Sequence, residues 1–355
     1  MSPDPVRLPF LEVSGAPYDI GHALGRFGAR AVHEHLTATP AWRELMPRAG
    51  DERIPRMATA VRSQFPCYWA ELHGLADGLG LPFDEVFLWN CRGDIRSMAP
   101  DGCTTVQFPG APPGASHLIG HNEDGDPGFA GHCALARIAS EAGTAFTAFV
   151  YPGSLPGHAF AVTAAGLVQT VNNVRALDGG AGVPRMILTR AVLDARDLDG
   201  ALALLRSADR AGAFHLTLAQ AGDDRLLSVE FTATRLSVRR IRTPGVHANH
   251  LIHADMDRVS QIVTGSSGQR QARGNKLIGQ MRQAAGEPDA LRVLWDADDP
   301  ELPIHRTDPA DPDVENTLAT AIFGVTADKV EWSVYDVPRQ PARFVMGGGL
   351  VPAAA

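Results

Sequence analysis

Lysine is nearly absent: Lys276 and Lys329 are the two in 355 residues, and Arg supplies almost all the positive charge. The formal net charge is −8, and no basic stripe offsets it, which argues against nucleic acid as the main partner. No apolar run approaches the roughly 20 residues needed to span a bilayer, so no membrane partner is expected. The opening "MSPDPVRLPFLEVSG" lacks a basic stretch followed by an apolar one, and the cytoplasm is the expected location. Cysteine is scarce and irregular: Cys67, Cys91, Cys103 and Cys133 include no CxxC pair, so neither a zinc ribbon nor a disulfide scaffold is expected. There is also no GxGxxG, Walker A or HExxH motif, and no cofactor is expected.

What is there fits a globular chain with a substantial core: 45% hydrophobic and 20% charged residues. Residues 1 to about 100 read mostly helical. Ile20, Leu24, Phe27 and Ala31 fall at helical spacing behind Pro17. Met57, Val61, Phe65, Trp69, Leu72 and Leu75 form a second apolar face, with a kink expected at Pro66. "PFDEVFLWNCRGDI" predicts a third helix stopping near Gly93. After Cys103 the pattern turns to short apolar or alternating runs broken by Gly, Pro and Asp, which are strand and turn signals. A helix pair, "PRMILTRAVLDA" and "LDGALALLRSAD", interrupts them; strands then resume, with "AGDDR" as a hairpin turn. "SSGQRQARGNKLIGQMRQAAG" predicts a basic helix, and "DADDPELPIHRTDPADPDVEN" a loop. Strand runs alternating with paired helices predict sheets packed face to face with helices outside.

Cys103 stands between Gly102 and Thr104-Thr105 at the head of a strand-like run. An isolated cysteine is most often inert core packing. As a nucleophile it would need a base, because a free thiol has a pKa of about 8.5. One source is a His with an Asn or Asp elsewhere in the chain. Another is the cysteine's own α-amine, pKa about 7.7–8.0, exposed if the chain is cut just before it. Gly102 suits such a cut, which demands little bulk and an unusual backbone. Asp101, Thr104 and Thr105 add polar groups around the scissile peptide. Downstream, "GHNED" ends a strand, "GLVQTVNN" ends in Asn172-Asn173, and "HANH" carries Asn249. Amides at strand ends suit an oxyanion hole, although each taken alone is an ordinary turn residue.

In that order, "DGCTTV", "GHNED", "GLVQTVNN" and "HANH" resemble the penicillin acyltransferase family (acyl-CoA:6-aminopenicillanate acyltransferase-like proteins) of the N-terminal nucleophile hydrolases. "GAPYDIGHALGRFGA" is similar to that family's opening, and the resemblance covers about residues 12 to 345. It implies an α+β fold, a four-layer αββα sandwich of two stacked sheets between helical layers. It implies autocatalytic cleavage at Gly102–Cys103, with Thr105 assisting. Residues 1–102 would become an α chain that stays bound, and residues 103–355 the catalytic β chain, the two together forming one domain. Cys103 would be the nucleophile and its new amine the base. Asp124, 21 residues on, would hold the amine or the nucleophile. Asn249 would help form the oxyanion hole with Asn172 or Asn173. His121 stands where the bile-salt hydrolase and penicillin V acylase group carries an arginine, and Glu123 where family members often carry an aromatic. Both departures point to a different pocket.

Other readings carry less weight. His247, His250 and His253 do not have a zinc-site context, and no metal is expected. "GSLPG" is out of register for a nucleophile elbow and reads as a pocket loop near Tyr151. Arg270 and Arg273 read as a solvated helix face, with Arg270 an alternative contact for a substrate carboxylate. His121, Tyr151 and Arg270 are thus the candidate substrate contacts. The expected function is hydrolysis of a small N-acyl or β-alanyl-type amide through an acyl-thioester enzyme. Acyl transfer from a coenzyme A thioester to an amine is the alternative, and an unprocessed non-catalytic binding protein the reading from another class. The expected partners are a small-molecule amide or acyl donor, the two chains of one precursor, and a second copy of the chain in a homo-oligomer.

Overall fold

The computed structural model describes residues 7–97, 102–110, 116–281, 286–309, 312–347 and 351–352. Its centre is a pair of sheets. The first has eight strands in the order β1 (Phe10–Gly15), β4 (Ala134–Ser140), β5 (Phe146–Val150), β6 (Phe160–Thr163), β7 (Leu167–Asn173), β8 (Phe214–Gln220), β9 (Leu226–Phe231) and β10 (Leu236–Arg240). The second has seven: β11 (Gly245–His247), β2 (Gly102–Phe108), β3 (His117–Gly125), β12 (Asn316–Val325), β13 (Val330–Tyr335), β14 (Phe344–Gly347) and β15 (Val351–Pro352). Every pairing is antiparallel except β1 with β4. The inner faces meet through aromatic rings: Phe160 of the first sheet lies 6.0 Å from Phe323 and 6.4 Å from Trp332 of the second.

Helices cover both outer faces. Against the first sheet lie α1 (Pro17–Glu34), α2 (Pro40–Leu45), α3 (Arg53–Gln64), α4 (Pro66–Leu79), α5 (Phe83–Asn90), α6 (Arg92–Ile95), α7 (Arg185–Val192) and α8 (Leu198–Ser207). Against the second lie α9 (Gly265–Gly279) and α10 (Glu287–Leu294), whose Ile278, Leu291 and Leu294 pack on Val106, Phe108 and Ile322. This is the expected αββα sandwich. No helix among the described residues is long and apolar enough to cross a membrane.

Two local features differ from the sequence expectation. Residues 53–79 form two helices rather than one kinked helix, because Phe65 leaves the helical region just before Pro66. The helical prefix carries a strand, β1, which adds to the first sheet's edge. The "HANH" segment leaves β11 after His247 and continues as loop.

Candidate active site

The site is built by alternation on two neighbouring strands. On β2, Cys103, Thr105 and Gln107 face the first sheet, where Gln107 Nε2 donates to Thr217 Oγ1 at 2.7 Å. Thr104, Val106 and Phe108 face the α9–α10 layer. On β3, His121 and Glu123 share the inner face, while Asn122 bonds outward to Leu294 O. Register places Cys103 opposite Glu123, Thr105 opposite His121, and Gly102 opposite Asp124.

The inner face therefore gathers Cys103, Glu123, His121, Thr105 and Asn172. Cys103 Sγ lies 3.8 Å from Glu123 Oε2, and His121 Nε2 lies 3.0 Å from the same oxygen. The Tyr151 hydroxyl donates to Glu123 Oε1 at 2.8 Å. Thr105 Oγ1 sits 2.8 Å from both His121 Nδ1 and Asn172 Oδ1. Burial lowers the His121 pKa to about 3, so its ring is neutral. One ligand atom each of Cys103, His121 and Glu123 lies within 4.8 Å of the others, close enough for a metal ion, and at 3.0 Å His121 Nε2 and Glu123 Oε2 are within reach of a shared proton.

The outer face holds the backbone. The Cys103 N–H donates to Asn249 Oδ1 at 3.0 Å, and Asn249 Nδ2 donates to Asn173 O at 3.0 Å. Arg270, fully buried, donates to Cys103 O at 2.6 Å, Thr104 Oγ1 at 2.9 Å and Asn249 Oδ1 at 2.7 Å. Asp124 accepts from the Thr317 hydroxyl at 2.6 Å, and its charge acts on Arg270. Below Gly102 lies Glu315, with Arg175 at 3.8 Å and Arg306 nearby. Burial raises the Glu315 pKa to about 8, against the pull of those two cations.

Gly102 is needed for space: a Cβ there would meet Glu315 Oε2 at 2.2 Å. The expected unusual backbone is not found, since Gly102 is paired strand and has no positive φ. Asp101 lies outside the described residues. Asp124 lies opposite Gly102 in the register, and the carboxylate 3.8 Å from the sulfur is that of Glu123. Asn172 and Asn173 both contribute, by different atoms. Asn172 offers its side chain to Thr105, while Asn173 offers its carbonyl to Asn249 and turns its side chain to Arg185. Asn172 Nδ2 donates to His247 O and Asn249 Nδ2 to Asn173 O, so both amides are engaged. His121 and Arg270 are wholly buried and support the site from behind, without surface for a substrate. Arg270 is thus no solvated face, whereas the partly exposed Arg273 pairs with Asp296 and Asp298.

Two of the three "HANHLIH" histidines converge on Glu230: His247, stacked on His215, lies 2.9 Å from Glu230 Oε1, and His253, bonded to Ser228 and Ser237, lies 3.8 Å from Glu230 Oε2, while His250 bonds Ser267. Tyr151 alone of the expected substrate contacts reaches a cleft, which it lines with Leu36, Trp89, Arg92, Asp126 and Phe129. The residue that the sequence did not single out for chemistry is Glu123. Its signal was there in the strand alternation of "GHNED", which puts it on one face with His121.

Comparison with known proteins agrees with this architecture. The family model described as acyl-coenzyme A:6-aminopenicillanic acid acyl-transferase matches residues 111–336. A β-alanyl-dopamine/carcinine hydrolase of Drosophila melanogaster is 25% identical over 359 residues, covering 90% of this chain and 91% of that protein. Two crystal structures of conjugated bile acid hydrolase variants from Clostridium perfringens are similar at TM-scores of 0.41 and 0.34. Their identities are 11% and 10%; they cover 70% and 69% of this chain and 92% and 84% of theirs. Those two likenesses are too distant to define the fold, which rests on the chain's own sheets. The family match extends over more than half of the 355 residues, and the chain belongs to the acyl-coenzyme A:6-aminopenicillanic acid acyl-transferase family.

Proposed function

We propose that this chain is an amide-cleaving enzyme that cuts itself between Gly102 and Cys103 and then uses Cys103 as an N-terminal nucleophile. Its substrate class is a small N-acyl or β-alanyl-type amide, the class named for the Drosophila relative. The observation that carries the reading is the double hold on Cys103: its nitrogen on Asn249 Oδ1 at 3.0 Å and its sulfur beside Glu123 at 3.8 Å. A structural cysteine needs neither contact.

In turnover the freed α-amine of Cys103 takes the thiol proton, and the thiolate attacks the substrate's carbonyl carbon. The C–N bond breaks, and the proton leaves with the amine product. Water then hydrolyses the acyl thioester. Asn249, held by Arg270, keeps the Cys103 nitrogen in place, and a donor amide released from its uncut-chain partner would meet the oxyanion. Residues 1–102 would stay bound as the α chain. What supports this is that Ile20, Leu24, Leu72, Leu75, Phe87 and Trp89 belong to one core with Leu135, Phe149 and Leu188. The Tyr151 cleft, with aromatic walls and Asp126, would take the acyl part.

The family's description favours a second reading, transfer of the acyl group to an amine. Both use the same thioester and separate by product: free acid, or a new amide when an amine is added.

The purified protein should run as two fragments, one ending at Gly102 and one starting at Cys103, and release amine from β-alanyl-dopamine or carcinine. Cys103→Ala should stay whole and lose activity by more than ~1,000-fold. An active Cys103→Ala variant would sink the assignment.

A further inference from the structure

The cut raises a question of order. The α-amine that serves as base in turnover is a product of the cut, so the uncut chain must draw the proton from the Cys103 thiol by other means.

Proton positions around Thr105 answer it. Asn172 Nδ2 donates to the His247 carbonyl at 3.1 Å, which fixes the amide's orientation and leaves Asn172 Oδ1 as an acceptor. The Thr105 hydroxyl, 2.8 Å from that oxygen, must donate to it. Its one proton is then spent, so at 2.8 Å from His121 Nδ1 it can only accept, and His121 carries its proton on Nδ1. Neutral His121 therefore turns the Nε2 lone pair toward Glu123 Oε2, 3.0 Å away. A lone pair and a carboxylate oxygen at that distance repel unless a proton lies between them. The Tyr151 hydroxyl donates to Oε1, and Cys103 Sγ stands 3.8 Å from Oε2, the oxygen that His121 Nε2 also faces. All four groups are buried, where such repulsion is poorly screened.

We propose that Glu123, oriented by His121, is the general base of the chain's own cut. Sγ, Oε2 and Nε2 share one proton in the working form. When that proton passes from Sγ to the Glu123–His121 pair, the thiolate attacks the Gly102 carbonyl carbon and a C–S bond forms. The Gly102–Cys103 C–N bond then breaks, and the Cys103 nitrogen takes the proton back from Glu123. Water hydrolyses the resulting thioester, restoring the thiol and leaving a Gly102 carboxylate. Glu123 touches the reacting sulfur and is catalytic in this step; His121 acts through it as a positioning residue. The inference rests on the reading of Cys103 as the nucleophile that cuts at Gly102. Among the described residues, the titratable and charged groups facing the trio from neighbouring elements include Tyr151, Cys133, His215 and Arg270, whose charge acts on Cys103.

The test follows conversion of freshly made full-length chain to two fragments by denaturing gel and intact mass, from pH 5 to 9, beside Cys103→Ala. Glu123→Gln keeps the shape and cannot take the proton; its cutting should slow at least ~100-fold with unchanged melting, and Glu123→Asp should recover part of it. If Glu123→Gln misfolds, His121→Gln decides. It offers Glu123 a donor in place of a lone pair, which weakens the base, so cutting slows and its acid limb moves to lower pH. A purely structural His121 would slow cutting with the limb unmoved, and that result overturns the inference. Glu123→Gln cutting at the wild-type rate also overturns it, while Cys103→Ala staying whole beside that result leaves the nucleophile standing. A wild-type chain that never cuts overturns both.

Discussion

Glu315 is a carboxyl buried beneath the Gly102–Cys103 bond, and its raised pKa is a statement about stability. Burial lifts it from 4.5 to about 8 despite Arg175 and Arg306. Such a group holds its proton more tightly when folded. Its contribution is complete below about 4.5 and is lost as pH rises through about 8. Glu315→Gln should therefore match the wild type near pH 5 and exceed it near pH 8, by an amount on the order of a few kcal/mol. Urea midpoints across that range measure it, and two parallel profiles would contradict it. Glu315 could not be found from the sequence, because it sits in a Pro- and Asp-rich loop whose path under β2 only the fold decides. Cys103 and Gly102 stood out in the sequence as residue types that a self-made N-terminus would use, and Asn249 through the family resemblance; the fold brings Asn249 Oδ1 to the Cys103 N–H. Glu123 was seen in the sequence only as a departure from the family. Its place opposite Cys103 depends on strand register, which one sequence does not print.

At the scale of elements, the opening "GAPYDIGHALG" gains a physical reason. α1 crosses α4 so closely that a Cβ on Gly21 would meet Glu71 O at 1.8 Å, and one on Gly74 would meet Tyr18 O at 1.9 Å. The glycines are there for backbone approach, and the helix propensity they cost is offset by that contact. Gly21→Ala should lower stability by about 1–3 kcal/mol or more, read from denaturant unfolding, with no change in the cutting chemistry per folded molecule. An unchanged midpoint would mean that the helices do not cross so closely. Most strands, the α7–α8 pair and α9 were legible from period and turn residues, whereas the eight-residue α10 was not picked out. β1 was missed because its alternation, Leu11-Glu12-Val13-Ser14, is short and runs straight into a strong helix, and its pairing partner β4 lies over a hundred residues away.

For the whole molecule, the two sheets bring β2 and β3 of one against β7 of the other, and Cys103 is sealed between them at 2% exposure. On the proposed reading, the uncut chain would act on itself first. Opening at Gly102 would free the new terminus and give the thiol its access to the Tyr151 cleft. The measurement that tests this most directly is top-down mass spectrometry of the wild-type protein, acid-quenched during turnover of β-alanyl-dopamine. The account predicts a fragment that begins at Cys103 and carries the β-alanyl group on that residue. An active protein with the Gly102–Cys103 bond intact, or an acyl group held on any other residue, would contradict it.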